Sequence, residues 1–130
     1  MFELKDIKEA HSKVKSGADF PRYVQDLIKL GVTKYDTFVR DGHTLFFGNN
    51  DYKIQSESKY SVLEVANNSD QENFINYLKI HQQGQTDYPT FCKHSAETGV
   101  EKWTVDMNKM TCTYYNKAGQ KMLEEKIPVV

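Results

Sequence analysis

"DYPTFCKHSAETGVEKW" (87–103) lies over "DFPRYVQDLIKLGVTKY" (19–35) without a gap when the chain is shifted by 68 residues. Asp19 meets Asp87, Pro21 meets Pro89, Gly31 meets Gly99, Val32 meets Val100 and Lys34 meets Lys102. The aromatic positions follow: Phe20 falls on Tyr88, Tyr23 on Phe91, Tyr35 on Trp103, Phe46 on Tyr114 and Phe47 on Tyr115. A repeat at a fixed offset governs every later assignment, so it is read before any motif. The expectation is an internal duplication, with units at about residues 1–57 and 69–127 of a single domain spanning 1–130.

Each matched position has a mechanical role. Asp19 and Asp87 suit helix N-caps, with a proline two residues on, inside the first turn, where its missing N–H is not needed. Gly31 and Gly99 supply a left-handed residue that closes a helix, and Val32 and Val100 follow with an apolar contact. From there the period switches to two: Tyr35, Thr37 and Val39 share a face, as do Trp103, Val105 and Met107. "RDGH" (40–43) reads as a hairpin, with "MNKM" (107–110) in the equivalent place. Second strands follow in "TLFFG" and "TCTYY", and third strands in "YKIQ" and "KMLEEKI".

Upstream, "ELKDIKEAHSKVK" carries Leu4, Ile7, His11 and Val14 along one helical stripe, and "SDQENFINYLKIHQQ" opens with the capping-box pattern "SDQE" at 69–72. A further short strand, Val62 to Val65, is expected at a sheet edge. Each unit therefore reads helix, helix, strand, strand, strand, and the predicted fold is α+β, an antiparallel sheet covered by helices.

The bulk properties narrow the function. The chain has 130 residues, 38% of them apolar and 27% charged, which fits one compact core. A net charge of −1 offers no broad basic face, so no nucleic acid is expected as a partner. No apolar run approaches a membrane span and the N-terminus has no signal core, so no membrane contact and a cytoplasmic location are expected. Cys92 and Cys112, in a chain without secretory features, read as reduced thiols.

The duplication also weighs the candidate chemistry. Cys92 and His94 look like a nucleophile with its base, but Cys92 falls on Val24 and His94 falls on Asp26. The two are about 200° apart around a helix and should point away from one another. Cys112, opposite Thr44, reads as a packing residue, although Cys92 or Cys112 would carry the chemistry of a thiol-dependent enzyme, the alternative reading. The histidines at 11, 43, 81 and 94 show no metal-ligand spacing, so neither metal nor cofactor is expected, and His43 beside the Asp-Gly turn reads as solvated. No catalytic residue stands out, and the protein reads as a binder rather than an enzyme.

The aromatic surplus is the stronger signal. Phe46 with Phe47, and Tyr114 with Tyr115, alternate across a sheet, and the alternation leaves open which of each pair faces the helices. Phe46, Tyr114, Trp103 and Tyr35 are the candidate ligand-binding residues of an aromatic surface. The expected partner is a small molecule or a protein, with a homodimer as one form of the latter.

The block 91–128, with its run "EKWTVDMNKMTCTYYNKAG", and the preceding "IKEAHSKVKSGADFPRYVQDLIKLGV" resemble an uncharacterised bacterial and prophage-associated family whose members include YbcV and YdfO and which often carries the label "phage envelope protein". The resemblance covers essentially the whole chain. It implies a small α+β protein and a prophage setting, with a phage structural component as a further reading, and it brings no catalytic or binding residues with it.

Overall fold

In the computed structural model, which describes residues 1–15 and 17–128, the chain forms helices on one face of a six-stranded antiparallel sheet. Ser16, Val129 and Val130, which fall inside the expected 1–130 unit, lie outside the described residues. The first half runs α1 (Leu4–His11), a 3₁₀ turn (Gly17–Asp19), α2 (Phe20–Leu30), β1 (Lys34–Phe38), β2 (Thr44–Phe47) and β3 (Lys53–Gln55). The second runs α3 (Gln71–Gln82), α4 (Tyr88–Glu97), β4 (Val100–Asp106), β5 (Thr111–Asn116) and β6 (Lys121–Lys126).

The strand order is β3-β2-β1-β4-β5-β6, so two three-stranded meanders join through β1 and β4. Asp36 pairs with Thr104, flanked by Tyr35 with Val105 on one side and Thr37 with Trp103 on the other. Those pairs exchange under the 68-residue offset (36 to 104, 35 to 103, 37 to 105), so the central ladder is symmetric about Asp36–Thr104.

Gly31 adopts φ 103° and lets the Val32 N–H reach back to the Leu27 carbonyl, closing α2. Pro21 and Pro89 stand in the first turns of α2 and α4. Asp87 caps α4 by accepting the Thr90 N–H at 2.9 Å. Asp19 does not cap α2: it is already in helical conformation, and its carboxylate accepts the Lys15 N–H at 2.9 Å. In α3 the cap is Asp70, which accepts the Asn73 N–H, rather than Ser69. The reciprocal capping box lies instead at α1, between Glu3 and Asp6.

Two expected elements come out shorter or absent. The first helix stops at His11 instead of running to Lys15, and its buried residues are Ile7 and Ala10. Beyond it the chain tightens, the Lys13 and Val14 amides reaching the Ala10 and His11 carbonyls. Residues 62–65 form no strand: Val62 is 72% exposed, and the segment contributes the Leu63 N–H to the Arg40 carbonyl as it crosses the end of the sheet. Leu63 and Val65 anchor a connector instead, Leu63 half-buried against the core and Val65 buried.

The core lies between helices and sheet. Val24, Leu27, Phe74 and Cys92 from the helices meet Tyr35, Phe46, Trp103, Val105 and Tyr114 from the strands.

Candidate functional site

Alternation along each strand sends one set of side chains under the helices and the other to the opposite face. Tyr35, Phe46, Trp103 and Tyr114, the expected ligand-binding residues, all belong to the helix-covered set, each between 4% and 6% exposed. They are brought together in two equivalent pairs, Tyr35 with Phe46 at 5.5 Å and Trp103 with Tyr114 at 5.9 Å between ring centroids. Phe74 packs on Tyr114 at 4.8 Å and Phe91 on Trp103 at 5.6 Å, so helix residues close the space over them. Burial pushes the hydroxyls of Tyr35 and Tyr114 well above the usual tyrosine range.

The thiols are equally enclosed. Cys92 is fully buried, and the groups that act on its thiol are the hydroxyls of Tyr60 and Tyr88, not His94. Burial raises its thiol, and those hydroxyls only partly offset the rise. Burial pushes the Cys112 thiol up to about 12. His94 stacks on Tyr77 at 3.8 Å, with a buried Nδ1 that takes no hydrogen bond among the described residues. The sequence separation of Cys92 and His94 around the helix is therefore matched by separate surroundings. No cluster of three or more His, Cys, Asp or Glu able to hold a metal ion occurs among the described residues.

The opposite face carries Lys34, Asp36 and Phe38 of β1, Leu45 and Phe47 of β2, Lys102, Thr104 and Asp106 of β4, and Thr113 and Tyr115 of β5. The Lys34 amino group stands 4.7 Å from the centre of the Phe47 ring, and that of Lys102 stands 5.5 Å from Tyr115 and 6.0 Å from Phe38. Lys34 with Phe47 and Lys102 with Tyr115 are the same pair under the 68-residue offset. Between them, the Thr104 hydroxyl donates to Asp36 Oδ1 at 2.6 Å. The remaining carboxylates are also engaged. Asp106 accepts the amides of Asn108 and Lys109, and Glu124 accepts from Thr113. The Thr113 hydroxyl and Lys121 hold the Glu124 carboxyl below its usual range.

At one corner of this face the β1–β2 turn builds a second feature. The Asp41 carboxylate accepts the His43 backbone N–H at 3.0 Å, an Asx turn, and its Oδ1 lies 2.5 Å from His43 Nδ1. The Ser58 hydroxyl donates to Oδ2, and the His43 ring stacks on Phe38 at 4.5 Å and 7°. His43 is thus paired and only 18% exposed, not solvated as its place beside the turn suggested. Burial would raise the Asp41 carboxyl, but the hydrogen bonds from His43 and Ser58 outweigh it and hold the group below its usual value. An Asp at i with His at i+2 across a turn is a readable signal for such a pair; Phe47 and Tyr115 needed only the choice between faces that alternation leaves open.

A family model described as "Protein of unknown function (DUF1398)" matches residues 8–126. The chain belongs to the DUF1398 family. No curated protein matches it. The match to DUF1398 spans every strand, so it takes in the whole uncovered face and the Asp41–His43 turn. No helix among the described residues is long and apolar enough to cross a membrane.

Proposed function

We propose that this DUF1398 chain is a non-catalytic binding protein whose uncovered sheet face docks a protein partner that presents carboxylates around an apolar centre. The observation that carries this reading is the pair of equivalent lysine–aromatic sites flanking Asp36–Thr104. The carboxylates of Asp36, Asp106 and Glu124 on this face are already engaged, while among the described residues Lys34 and Lys102 have no ion-pair partner and stand over rings. An incoming carboxylate can pair with either lysine and expose Phe47 or Tyr115 to apolar contact.

A second copy of the chain fits this face less well, because its own carboxylates there, Asp36, Asp106 and Glu124, are already hydrogen-bonded within the chain and would have to leave those partners to meet the lysines of the other copy. A single-stranded nucleic acid needs free ring faces for base stacking, and here the lysines occupy them. The face spans six strands, about 24 Å, by roughly 17 Å along β1. That projected area is about half the ~800 Å² per partner of a standard interface, so the complex is expected to be transient. The enclosed thiols support a binder over a thiol-dependent enzyme. The 68-residue offset, shared by pattern, element order and ladder register, supports origin by internal duplication within one domain. The YbcV/YdfO-like assignment, its prophage setting and a cytoplasmic location belong to the same proposal.

The test places a photo-crosslinking phenylalanine analogue at position 115, or at exposed position 8 on α1, in the cells the chain comes from. Position 115 should give a discrete adduct with another protein, mapped to an acidic segment and lost in the K34E/K102E variant. Equal adducts from position 8, an adduct of two copies of this chain, or a nucleic-acid adduct would each overturn the reading.

A further inference from the structure

The Asp41–His43 turn opens onto a shallow depression of about 590 Å³ that involves neither the core aromatics nor the lysine–ring pairs. Its base is built rather than incidental. Three groups converge on Asp41, namely the His43 amide, His43 Nδ1 and the Ser58 hydroxyl. The Phe38 ring fixes the plane of the imidazole. With Nδ1 committed to the carboxylate, the ring's tautomer is set, and a neutral imidazole presents Nε2 as an acceptor. That nitrogen takes no protein hydrogen bond among the described residues and is not a buried orphan. It is therefore a positioned, solvent-reached hydrogen-bonding atom.

The lining decides the ligand class. Only polar side chains line the depression, and the Phe38 ring behind the imidazole is covered by His43, so an apolar ligand finds no wall. Arg40 is the permanent cation, and Asp41 and Glu57 are the carboxylates. An anion meets a lining that is net negative while His43 is neutral, and a small cation meets the Arg40 guanidinium. Arg40 and Gln55 supply donors, while Glu57 and His43 Nε2 supply acceptors, the mixture that hydroxyl groups satisfy from both sides. We propose that this depression binds a neutral, polyhydroxylated small molecule, with His43 Nε2 accepting one hydroxyl hydrogen bond. The depression borders the docking face, but neither Lys34 nor Lys102 nor the rings of Phe47 and Tyr115 line it, so either proposal can fail alone.

The test is a titration of the full ¹⁵N-labelled chain with glucose, and with acetate and methylammonium as charged controls. Glucose should give saturable millimolar-range shifts centred on the amides of His43, Gln55 and Ser58. His43→Asn keeps a donor at the Nδ1 position for Asp41 and removes Nε2; it should weaken binding by about three- to ten-fold, the range one neutral hydrogen bond supplies. His43→Gln, which can place a polar atom near Nε2, should recover part of that loss. Gln55→Ala, an exposed position that puts the fold at little risk, should also weaken binding. The absence of saturable glucose shifts, equal affinity in His43→Asn and the unmodified chain, or tighter binding of acetate or methylammonium would overturn the proposal.

Discussion

Replacing Gly99 by alanine should destabilise the protein far more than the same change at Gly119, and the structure gives the size of the difference. Both glycines have positive φ, 88° and 78°, a conformation that costs other residues about 1–2 kcal/mol. A Cβ on Gly119 would meet nothing within 4 Å. A Cβ on Gly99 would lie 2.7 Å from the Asn68 carbonyl oxygen and 3.0 Å from the Ser69 Cα. Both are backbone atoms, and the next residue is tied down by the Asp70 N–H to the Thr98 carbonyl at 2.9 Å, so the obstruction has little room to swing aside. Overpacking of this kind costs a further 1–3 kcal/mol or so. Gly119→Ala should therefore lose about 1–2 kcal/mol and Gly99→Ala about 3 kcal/mol or more. Gly31→Ala, whose nearest contact would be the Phe2 ring at 3.8 Å, should resemble Gly119→Ala. Urea unfolding followed by the fluorescence of Trp103, the only tryptophan, measures all three. A Gly99→Ala midpoint indistinguishable from that of Gly119→Ala would refute the steric reasoning.

Burial of both thiols predicts slow labelling by a disulfide reagent at pH 8, at least about 100-fold slower in the folded chain than in urea, because reaction needs the thiolate and access to it. Rapid labelling of the folded protein would return the thiol-enzyme reading to contention. The same burial sets a pH dependence. The unfolded Cys112 thiol ionises near its ordinary 9.0 and the folded one holds its proton to about 12, so its contribution is fully present below pH 9 and falls as the pH rises through that window. The raised hydroxyls of Tyr23, Tyr35 and Tyr114 act in the same direction above pH 10, and urea midpoints at pH 8 and pH 10.5 should differ accordingly. Finally, Phe74→Ala should cost about 3–5 kcal/mol, since the ring is fully buried against Tyr114 and Phe91, whereas Phe47→Ala on the uncovered face should cost about 1 kcal/mol or less. Comparable losses at the two positions would show that the face with Phe47 is covered.

The sequence by itself determined the elements and their order. Proline near the start of α2 and α4, glycine past their ends and a switch from helical to alternating period are local signals, and local backbone sterics enforce them wherever the chain goes. The comparison of Cys92 with Val24 was informative for the same reason, because a shared helical position implies a shared face. Three local readings failed where a neighbour outside the pattern intervened. Asp19 turned back to Lys15, the 62–65 segment found the end of the sheet instead of an edge, and His43 found Asp41, Ser58 and Phe38. Only the tertiary structure decided which aromatic of each adjacent pair went inside. Alternation places Phe46 opposite Phe47 and Tyr114 opposite Tyr115 but carries no sign. The sign came from the helices, which cover Phe46 and Tyr114 and leave Phe47 and Tyr115 beneath lysines. Period-two geometry fixes the faces, and only packing across the sheet says which one is the core.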